Sequence, residues 1–479
     1  MRKTKIVATL GPALDDRDKL RAALEAGIDV VRLNFSHGTH DTHARRLRAV
    51  RELSTRLDRN IGVLADLQGP KIRLGILPDD GIRLENDTEV TLLPGREQLD
   101  EYSSEGQIVL PVVYEALGKD TEPGSMILID DGSIRLVVSR ATADEVTAKV
   151  VAGNVAKSRK GVNLPGVAVS APSLTEKDEE DLRAAVDLGC DWLALSFVRR
   201  PEDVARARAR VMDHGGEAPL VSKLERPEAI DNLEAIVKAS DAVMVARGDL
   251  GVEIGPERVP AIQKQIIAEA NSNYKPVVTA TEMLDSMINS PRPTRAEASD
   301  IANAIFDGTD AVMLSGETAA GKYPVEAVRT MARICEVAET SPHLVGPIEH
   351  GTADTSVGSV VAQAAVTVAR DVGASAIAVY SISGSSIERV SKFRPAVRLI
   401  GLTPHDTARR RTALMWGAEA LLVPMKSESL ALITSAERVL VDGGFARNGD
   451  LVVIVSGTAG SSGGTNRIYV HRIGEPLQS

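Results

Sequence analysis

The chain contains 479 residues, 43% hydrophobic and 25% charged, a composition typical of a globular protein too large for one hydrophobic core. Its formal net charge of −10 argues against a general nucleic-acid-binding protein, which would present a broad basic face. Two cysteines, Cys190 and Cys335, are too few for a disulfide framework or a zinc cluster. The sequence shows neither a signal peptide nor an apolar run as long as a membrane span. We therefore expect a cytoplasmic protein without membrane or nucleic-acid partners.

From the N-terminus, short apolar runs alternate with amphipathic stretches of helix length. The predicted strands are Lys5–Leu10, Asp29–Leu33, Gly62–Ala65, Trp192–Leu195, Leu220–Ser222, Ala242–Val245, Pro276–Thr279 and Ala311–Leu314. The predicted helices are Arg17–Ala26, Thr42–Leu57, Glu176–Leu188, Pro201–Val211, Pro227–Lys238, Val259–Ser272, Arg295–Phe306 and Val325–Glu339. Eight buried strands alternating with helices indicate an α/β fold, a parallel (β/α)₈ barrel, with an open doubly wound sheet as the alternative.

Two further units interrupt and follow this pattern. Residues 70–170 lose the helical period, and the alternating runs Glu89–Leu93, Ser125–Ile129, Ile134–Ser139 and Glu145–Val151 predict an all-β barrel insert after strand 3. Because it enters where βα loops lie, the insert is expected to act as a lid. The catalytic barrel is then residues 1–69 and 171–342. Residues 343–479 predict an open α/β domain, with a helix and four strands at Ser356–Asp371, Ala376–Tyr380, Arg398–Leu402, Ala420–Val423 and Leu451–Val455.

Polar side chains follow seven of the eight barrel strands. They are Arg32, Asn34, Asp66, Ser196, Lys223, Glu225, Arg247, Asp249, Thr281, Ser315 and Glu317. One such residue is explained by helix capping, but residues at the same end of seven strands converge on one site.

The chemistry of this set is coherent. Glu225 and Asp249 are oxygen donors on adjacent strands, suited to Mg²⁺, which takes one or two carboxylates together with substrate oxygens. Positive charge comes from Arg32, Lys223, Arg247, Lys71, Arg73 and Lys160. Cations and Mg²⁺ around one pocket are what phosphoryl transfer requires, although salt bridging at the surface is the other interpretation of the lysines and arginines.

The strand-end residues lie within longer motifs that resemble the pyruvate kinase family. These motifs span Arg32–Gly38, Lys160–Gly166, Met244–Gly251, Pro291–Glu297 and Met313–Thr318. The resemblance runs through about residue 340, and the third domain matches in layout. It implies a bacterial-type enzyme that transfers the phosphoryl group of phosphoenolpyruvate to ADP, giving pyruvate and ATP in the last step of glycolysis. It also implies a homotetramer with allosteric regulation.

The resemblance assigns roles to individual residues. Arg32, Lys223 and Thr281 are the expected catalytic residues, and Gly248 and Asp249 join them in binding phosphoenolpyruvate. Glu225 and Asp249 are expected to hold Mg²⁺, for which Mn²⁺ can substitute. Asn34, Phe35, Ser36, His37, Arg73 and Lys160 are expected to bind the nucleotide phosphates. Asp131 either reaches the nucleotide when the insert closes or only forms a hairpin turn with Gly132.

One departure from the family pattern concerns K⁺. Many members hold this ion with oxygens equivalent to Asn34, Ser36, Asp66 and a threonine, next to a glutamate. Here Leu67 stands at the threonine position and Lys71 at the glutamate position, so the resemblance is to the potassium-independent branch. We expect a vestigial site in which Lys71 replaces the ion.

The third domain contains a candidate effector loop. Ser381, Ser383, Gly384, Ser385 and Ser386 form a small-residue turn that opens a helix, a natural phosphate cradle, and Gly457–Gly464 is a second small-residue loop. They predict a sugar-phosphate or nucleotide effector, with an ordinary βα turn as the alternative.

Two rival functions differ from phosphoryl transfer. A barrel lyase or aldolase acting on phosphoenolpyruvate or a 2-oxo acid would not need Lys71, Arg73 and Lys160. A catalytically inactive metabolite sensor would be expected to have lost Lys223, Glu225, Asp249 or Thr281, and all four are present.

Overall fold

Eight parallel strands close into a barrel in the computed structural model, which describes residues 2–104, 106–341, 356–426, 428–457 and 464–476. The barrel strands are Lys5–Thr9, Val30–Asn34, Gly62–Asp66, Trp192–Leu195, Leu220–Leu224, Ala242–Ala246, Val277–Ala280 and Ala311–Leu314. They lie around the barrel in chain order, and the eighth pairs with the first. The predicted barrel is confirmed, and the open doubly wound sheet is wrong.

Alternation of side chains along each strand decides which residues reach the barrel interior. Val7, Val30 and Leu64 pack inside the barrel, whereas their neighbours Val31 and Ala65 pack in the layer between strands and helices. Successive side chains of a strand point to opposite faces, so residues two apart share a face. The strand-end residues that share the inward parity therefore meet above the packed interior.

The barrel helices follow the predicted pattern. They are Arg17–Ala26, His40–Arg56, Glu176–Asp187, Pro201–Asp213, Pro227–Asp231, Leu233–Ala239, Arg247–Ile254, Val259–Ser272, Arg295–Phe306, Gly316–Ala319 and Pro324–Glu339, with 3₁₀ turns at Pro12–Leu14, Pro256–Arg258 and Asp285–Ile288. Thr175 and Thr294 begin their helices with capping boxes. The single helix expected over Pro227–Lys238 is wrong, because the chain breaks at Asn232 into two short helices.

The insert is an all-β unit with its own hydrophobic core. Its strands are Ile82–Arg83, Glu89–Pro94, Ser103–Ser104, Gln107–Val112, Met126–Ile129, Ile134–Ala141, Val146–Ala152, Val155–Ala156 and Val162–Asn163, with one short helix at Leu117–Asp120. Bridges from Arg73 to Gly161 and from Leu74 to Val112 connect the two sides of the main sheet, so the unit is a small barrel. The parallel pairing of Glu89–Pro94 with Gln107–Val112 was not predicted.

The C-terminal unit is a five-stranded α/β sheet. Its strands are Ala376–Tyr380, Arg398–Thr403, Ala418–Leu422, Leu451–Gly457 and Thr465–Arg472, and its helices are Val357–Asp371, Ser385–Lys392, Asp406–Arg411 and Ser429–Asp442, with a 3₁₀ turn at Thr412–Leu414. The antiparallel edge strand Thr465–Arg472 was not predicted. The expected domain boundary at residues 342–343 and most of the Gly457–Gly464 loop (residues 458–463) lie outside the described residues. In the described part of the chain, no helix is long and apolar enough to cross a membrane.

The C-terminal unit covers the end of the barrel opposite the polar strand ends. Leu414 packs into the inward-facing barrel cluster, and Arg394 lies over the ring of Trp416 at 4.6 Å. Lys392 is 1% exposed; its ammonium pairs with Asp310 and also donates to Asn271 Oδ1 at 2.7 Å. Burial lowers the pKa of Lys392 to about 8, with Asp310 opposing this shift. The interface thus contains a buried ion pair.

We expect Lys392→Met to destabilise the protein by about 2–3 kcal/mol, because Asp310 loses one of its two buried cations and keeps only Arg394, at 3.1 Å. The midpoint of thermal unfolding measures this change. Lys238→Met is the matched control: its exposed helical pair with Glu234 contributes roughly 0.3–0.5 kcal/mol. Equal midpoints for the two variants would contradict a structural role of the buried pair.

Candidate active site

Asp66 is the centre of an ion cluster at the open end of the barrel. Its carboxylate is 1% exposed; Oδ2 accepts from Arg32 Nε at 2.6 Å, and Oδ1 lies 3.6 Å from Lys223 Nζ. Lys223 also donates to Ser196 Oγ at 2.7 Å and lies 3.4 Å from Glu225 Oε2. Strands 2, 3, 4 and 5 thus bring together residues separated by up to 193 positions in the sequence, as the strand-end pattern predicts.

The cluster keeps its members charged. Burial alone would raise the pKa of Asp66, but Lys223 and Arg32 outweigh it and hold the pKa below its ordinary value. Burial would likewise lower the pKa of Lys223, and Asp66 and Glu225 raise it instead. Two fixed positive charges therefore face the same region of the barrel mouth.

Glu225 and Asp249 present carboxylate oxygens beside these cations. Glu225 is fully buried; its Oε1 accepts from the Phe197 amide at 2.6 Å, whereas Oε2 has no hydrogen-bond partner. Burial is the largest cause that raises the pKa of Glu225 to about 7. Asp249 lies in the first turn of Arg247–Ile254. An unsatisfied buried oxygen near a second carboxylate fits a hard cation such as Mg²⁺. The described residues contain no group of three or more His, Cys, Asp or Glu suited to a metal, so substrate or water would complete the shell.

Thr281 lies on a strained turn after strand 7, with φ of +68°. Its Oγ1 accepts from the Gly248 amide at 2.8 Å and donates to the Ala280 carbonyl at 2.6 Å. Arg247 donates to the Thr281 carbonyl at 2.7 Å and to Asp300 at 2.8 Å. Arg247 therefore holds the turn in place and is paired within the protein, unlike the free phosphate-facing cation that the sequence suggested.

Glu317 and Ser315, which follow strand 8, form hydrogen bonds within the protein. Glu317 is buried, and its two oxygens accept from the backbone amides of Leu284 at 2.9 Å and Ser315 at 2.7 Å. Burial raises the pKa of Glu317. The carboxylate is occupied by backbone donors and supports the loops after strands 7 and 8.

The segment Asn34–His37 forms one side of the barrel mouth. Asn34 Oδ1 accepts from the Ser36 amide at 3.1 Å, and Phe35 stacks on His43 at 4.4 Å between ring centroids. His43 contacts the His37 carbonyl at 3.0 Å. Burial, followed by the nearby cations Arg73, Arg32 and Lys71, lowers the pKa of His37. This effect of the three cations indicates that the insert brings positive charge to the same region.

The insert contributes further charged residues. Arg73 donates to the Arg159 carbonyl at 3.1 Å, and Lys160 Nζ lies 2.8 Å from Asp130 Oδ1. Asp131 has φ of +52° in the turn between Met126–Ile129 and Ile134–Ala141, so the hairpin interpretation is confirmed. It also lines a cleft of 640 Å³ together with Lys71 from the insert and Arg247, Asp249 and Thr281 from the barrel. The two interpretations of Asp131 are therefore compatible.

Leu67 and Lys71 occupy different environments. By strand parity Leu67 points away from the barrel interior and is buried in the strand–helix core, and its carbonyl accepts from Ser196 Oγ at 2.7 Å. A side-chain hydroxyl at this position would face that core, so its loss does not alter the barrel mouth. Lys71 Nζ lies 3.6 Å from Asp249 Oδ1, beside the carboxylate pair.

Sequence reasoning missed three features near the site: the Phe197 amide on Glu225, and the buried side chains of Arg226 and Glu253. A bulky residue with positive φ, as Phe197 has, leaves no sequence signal. Arg226 directly follows Glu225, and Glu253 lies two residues after the motif Met244–Gly251, which was the available clue.

A closed (β/α)₈ barrel with paired cations, two converging carboxylates and a charged insert over the mouth defines a metal-assisted phosphoryl-transfer enzyme. The family model for the barrel domain of pyruvate kinase matches residues 1–328, and that for its alpha/beta domain matches residues 359–471. The chain therefore belongs to the pyruvate kinase family.

Curated relatives and a solved structure agree with this assignment. The chain is 45% identical to a pyruvate kinase of Mycobacterium tuberculosis, over 99% of each chain, and 44% identical to that of Corynebacterium glutamicum, over 99% of this chain and 98% of the relative. A pyruvate kinase crystal structure from Cryptosporidium parvum superposes with a TM-score of 0.90 at 34% identity, covering 98% of this chain and 96% of that one. The enzyme transfers the phosphoryl group of phosphoenolpyruvate to ADP and forms pyruvate and ATP.

We expect Asp66→Asn to lower the free energy of unfolding by about 3 kcal/mol, because Arg32 and Lys223 would lose their buried counter-charge. The folded-state pKa of Asp66 is depressed, so its contribution is present above the unfolded pKa of about 3.9 and is lost as the pH falls through the folded value. Thermal unfolding between pH 3 and pH 7 measures both effects. Asp87→Asn, at an exposed pair with Lys149, is the control and should change little.

Proposed function

We propose specific roles for the residues at the barrel mouth in this reaction. Arg32 and Lys223 contact the transferring phosphoryl group, and the Lys223 ammonium stabilises the enolate that remains. The support for this proposal is the Asp66-centred cluster, which holds both cations charged and in place before substrate binds. Because no reorganisation is needed as charge develops, these cations favour the transition state over the ground state.

Glu225 and Asp249 would hold Mg²⁺, or Mn²⁺ in its place, and Oε2 of Glu225, which is buried and accepts no hydrogen bond from the described residues, supports this assignment. The ion supplies positive charge to the substrate oxygens. Backbone amides at the start of Arg247–Ile254 would bind the substrate carboxylate. The Gly248 amide, which donates to Thr281 Oγ1 in the free protein, would exchange this hydrogen bond for one to the substrate. Thr281, kept in its strained turn by Arg247, would then face the enolate carbon and assist its protonation through water.

The insert acts in this proposal as a lid for the nucleotide. Arg73, Lys160 and Asp131 approach the mouth from the insert, and Asn34, Phe35, Ser36 and His37 line it from the barrel; together they would bind the ADP or ATP phosphates. The cleft shared by Asp131 and Asp249 supports this arrangement. Closure would exclude water from the phosphoryl group during transfer.

We expect Glu225→Ala to lose most activity, by about 10²-fold or more, because the metal would lose a charged ligand. Lys223→Met should lower kcat more than it raises KM for phosphoenolpyruvate, because the charge matters most as the enolate forms. A coupled assay of pyruvate formation with phosphoenolpyruvate, ADP and Mg²⁺ measures both.

Glu234→Ala, on the exposed face of a nearby helix, is the matched control and should retain wild-type turnover. Wild-type turnover in either Glu225→Ala or Lys223→Met would refute the assigned roles.

We also propose that the enzyme is of the bacterial, potassium-independent type. Lys71 places an ammonium 3.6 Å from Asp249. Burial and two arginines lower the pKa of His37, and the charge of Lys71 adds to this effect. His37 adjoins Ser36 of the expected K⁺ site. A covalently attached positive charge there would make a monovalent cation unnecessary and would repel one nearby. The support rests on Lys71, because the Leu67 side chain faces the strand–helix core.

Near-full activity is therefore expected when tetramethylammonium is the only monovalent cation. Lys71→Glu should lower kcat by about 10²-fold under these conditions, because it places a carboxylate beside Asp249, and K⁺ should restore part of the loss. Lys119→Glu, an equal charge reversal at an exposed site of the insert, is the control. Strong activation of the unmodified enzyme by K⁺, with no response to Na⁺, would contradict potassium independence.

The C-terminal unit supports a proposal of allosteric control. Ser381 Oγ accepts from the Gly384 amide at 3.0 Å, and Ser386 contacts Thr465, so these two hydroxyls shape the loop. Ser383 and Ser385 precede and begin the helix Ser385–Lys392, where a sugar phosphate or nucleotide phosphate would bind. We further propose the homotetramer that is general in this family.

A further inference from the structure

A buried ion pair lies at the junction of the insert and the barrel. Arg226 directly follows Glu225, and Glu253 lies four residues after Asp249 on the helix Arg247–Ile254. Arg226 Nη1 donates to Glu253 Oε1 at 2.8 Å, with side chains 5% and 1% exposed. Arg226 is thus one peptide bond from Glu225, and Glu253 is one helical turn from Asp249, the two carboxylates proposed to bind the metal.

Both members of the pair also bind the insert. Asn163 Nδ2 donates to Glu253 Oε1 at 3.1 Å, and Arg226 Nη2 donates to the Val167 carbonyl at 3.0 Å. Within the barrel, Arg226 has a second and weaker contact with the partly exposed Glu228 at 3.3 Å. The contacts therefore cross from the barrel to the segment by which the chain returns from the insert.

Asn163 connects Glu253 of the barrel to the strands of the insert. Its strand, Val162–Asn163, pairs antiparallel with Met126–Ile129, the strand that leads directly into the turn containing Asp131. Lys160 lies three residues before Asn163 and pairs with Asp130 in the same turn. A shift of Asn163 relative to Glu253 would therefore move Lys160 and Asp131 relative to the barrel.

The surroundings of the ion pair are mostly apolar. A cavity of 30 Å³ at the junction is lined by the pair together with Ile72, Leu164, Val169 and Phe197, among others. Burial raises the pKa of Glu253, and Arg226 opposes this shift. A buried pair of this kind adds little net stability compared with apolar side chains of similar volume, but its directional hydrogen bonds select one geometry.

We propose that Arg226 and Glu253 are positioning residues that, through Asn163 and the Val167 carbonyl, fix the orientation of the insert over the metal-binding carboxylates. The proposal rests on the lid role of the insert and the metal-binding role of Glu225 and Asp249 proposed above. An insert that loses these contacts presents Lys160 and Asp131 in a spread of orientations, so the nucleotide phosphates meet their partners less often. Phosphoenolpyruvate, bound by the barrel alone, is affected less.

Asn163→Ala tests the proposal with the least disturbance, because it leaves the ion pair intact in the barrel. We expect kcat/KM for ADP to fall about tenfold while KM for phosphoenolpyruvate changes less than twofold, since misorientation impairs the step that needs the insert. Asn86→Ala is the matched control: its side chain accepts from the Gly153 amide at 2.7 Å, within the insert. Equal kinetic constants for the two variants would overturn the proposal.

A charge-neutral pair separates positioning from stability. Arg226→Gln/Glu253→Gln removes both charges, with Glu253 replaced isosterically and Arg226 by a shorter polar side chain. Thermal stability should therefore fall less than in a variant that leaves one buried charge unpaired. The ADP-specific loss should nevertheless appear, because the directional contacts with Asn163 and Val167 are weakened. Wild-type kinetics in this double variant would also overturn the proposal.

A distance measurement tests the orientation without relying on activity. Spin labels at Val151→Cys on the insert and Met212→Cys on the barrel occupy sites 54% and 67% exposed. The native Cys190 and Cys335 are buried, and burial raises the pKa of each thiol to about 12, so they do not react with the label. We expect a narrow distance distribution that broadens with Asn163→Ala, and an unchanged width would refute the positioning role.

The two hypotheses fail in different ways. Wild-type turnover in Glu225→Ala or Lys223→Met would refute the proposed residue roles. In that case the label distances would still decide whether the ion pair orients the insert.

Discussion

The structure of the active site depends on one buried carboxylate. Asp66 lies on the inward face of strand 3, where it cannot be stabilised by water and must be paired, and Arg32 and Lys223 are the cations within reach. The same requirement holds in reverse for Lys223, because burial would lower the pKa of its ammonium, and Asp66 and Glu225 raise it instead. The cations that face the substrate are thereby fixed before it arrives.

The two carboxylates of the proposed metal site, Glu225 and Asp249, have fewer neighbouring cations than Asp66 has. Glu225 has one oxygen bound to an amide and one without a hydrogen bond to the described residues, and its raised pKa reflects burial that Lys223 offsets only in part. In the free protein Asp66 has two cations on the Arg32 side of the mouth, whereas on the other side Glu225 and Asp249 each have one lysine, at 3.4 Å and 3.6 Å. A divalent cation and an anionic substrate that bind together complement both sides at once, which suits a reaction requiring both.

Much of this organisation was predictable from the sequence, and the exceptions have physical causes. Strand and helix periods located the barrel, and strand parity explains why Asp66 and Lys223 converge. Leu67 shows the limit of motif comparison, because only parity reveals that its side chain faces away from the mouth. The edge strand Thr465–Arg472 was missed because its apolar run is only three residues long, Ile468 to Val470, and polar residues flank it on both sides.

Interactions between units were the least predictable part. Arg226 and Glu253 are 27 residues apart, and their pairing with Asn163 depends on how the insert packs on the barrel, which local patterns do not encode. Lys392 and Asp310 pair across 82 positions between the C-terminal unit and the barrel. A buried lysine is rare enough that sequence reasoning assigns it to the surface by default.

The fluorescence of the two tryptophans of the chain reports on the barrel and the C-terminal unit but not on the insert. Trp192 is 2% exposed in the barrel interior, and Trp416 is 2% exposed at the C-terminal unit, beneath Arg394 and with the Lys3 ammonium 5.0 Å from its ring centroid. Residues 70–170 contain no indole. Tryptophan emission should therefore not change when the insert moves over the cleft. It should shift to longer wavelength when the C-terminal unit separates from the barrel, because that separation would bring water to Trp416.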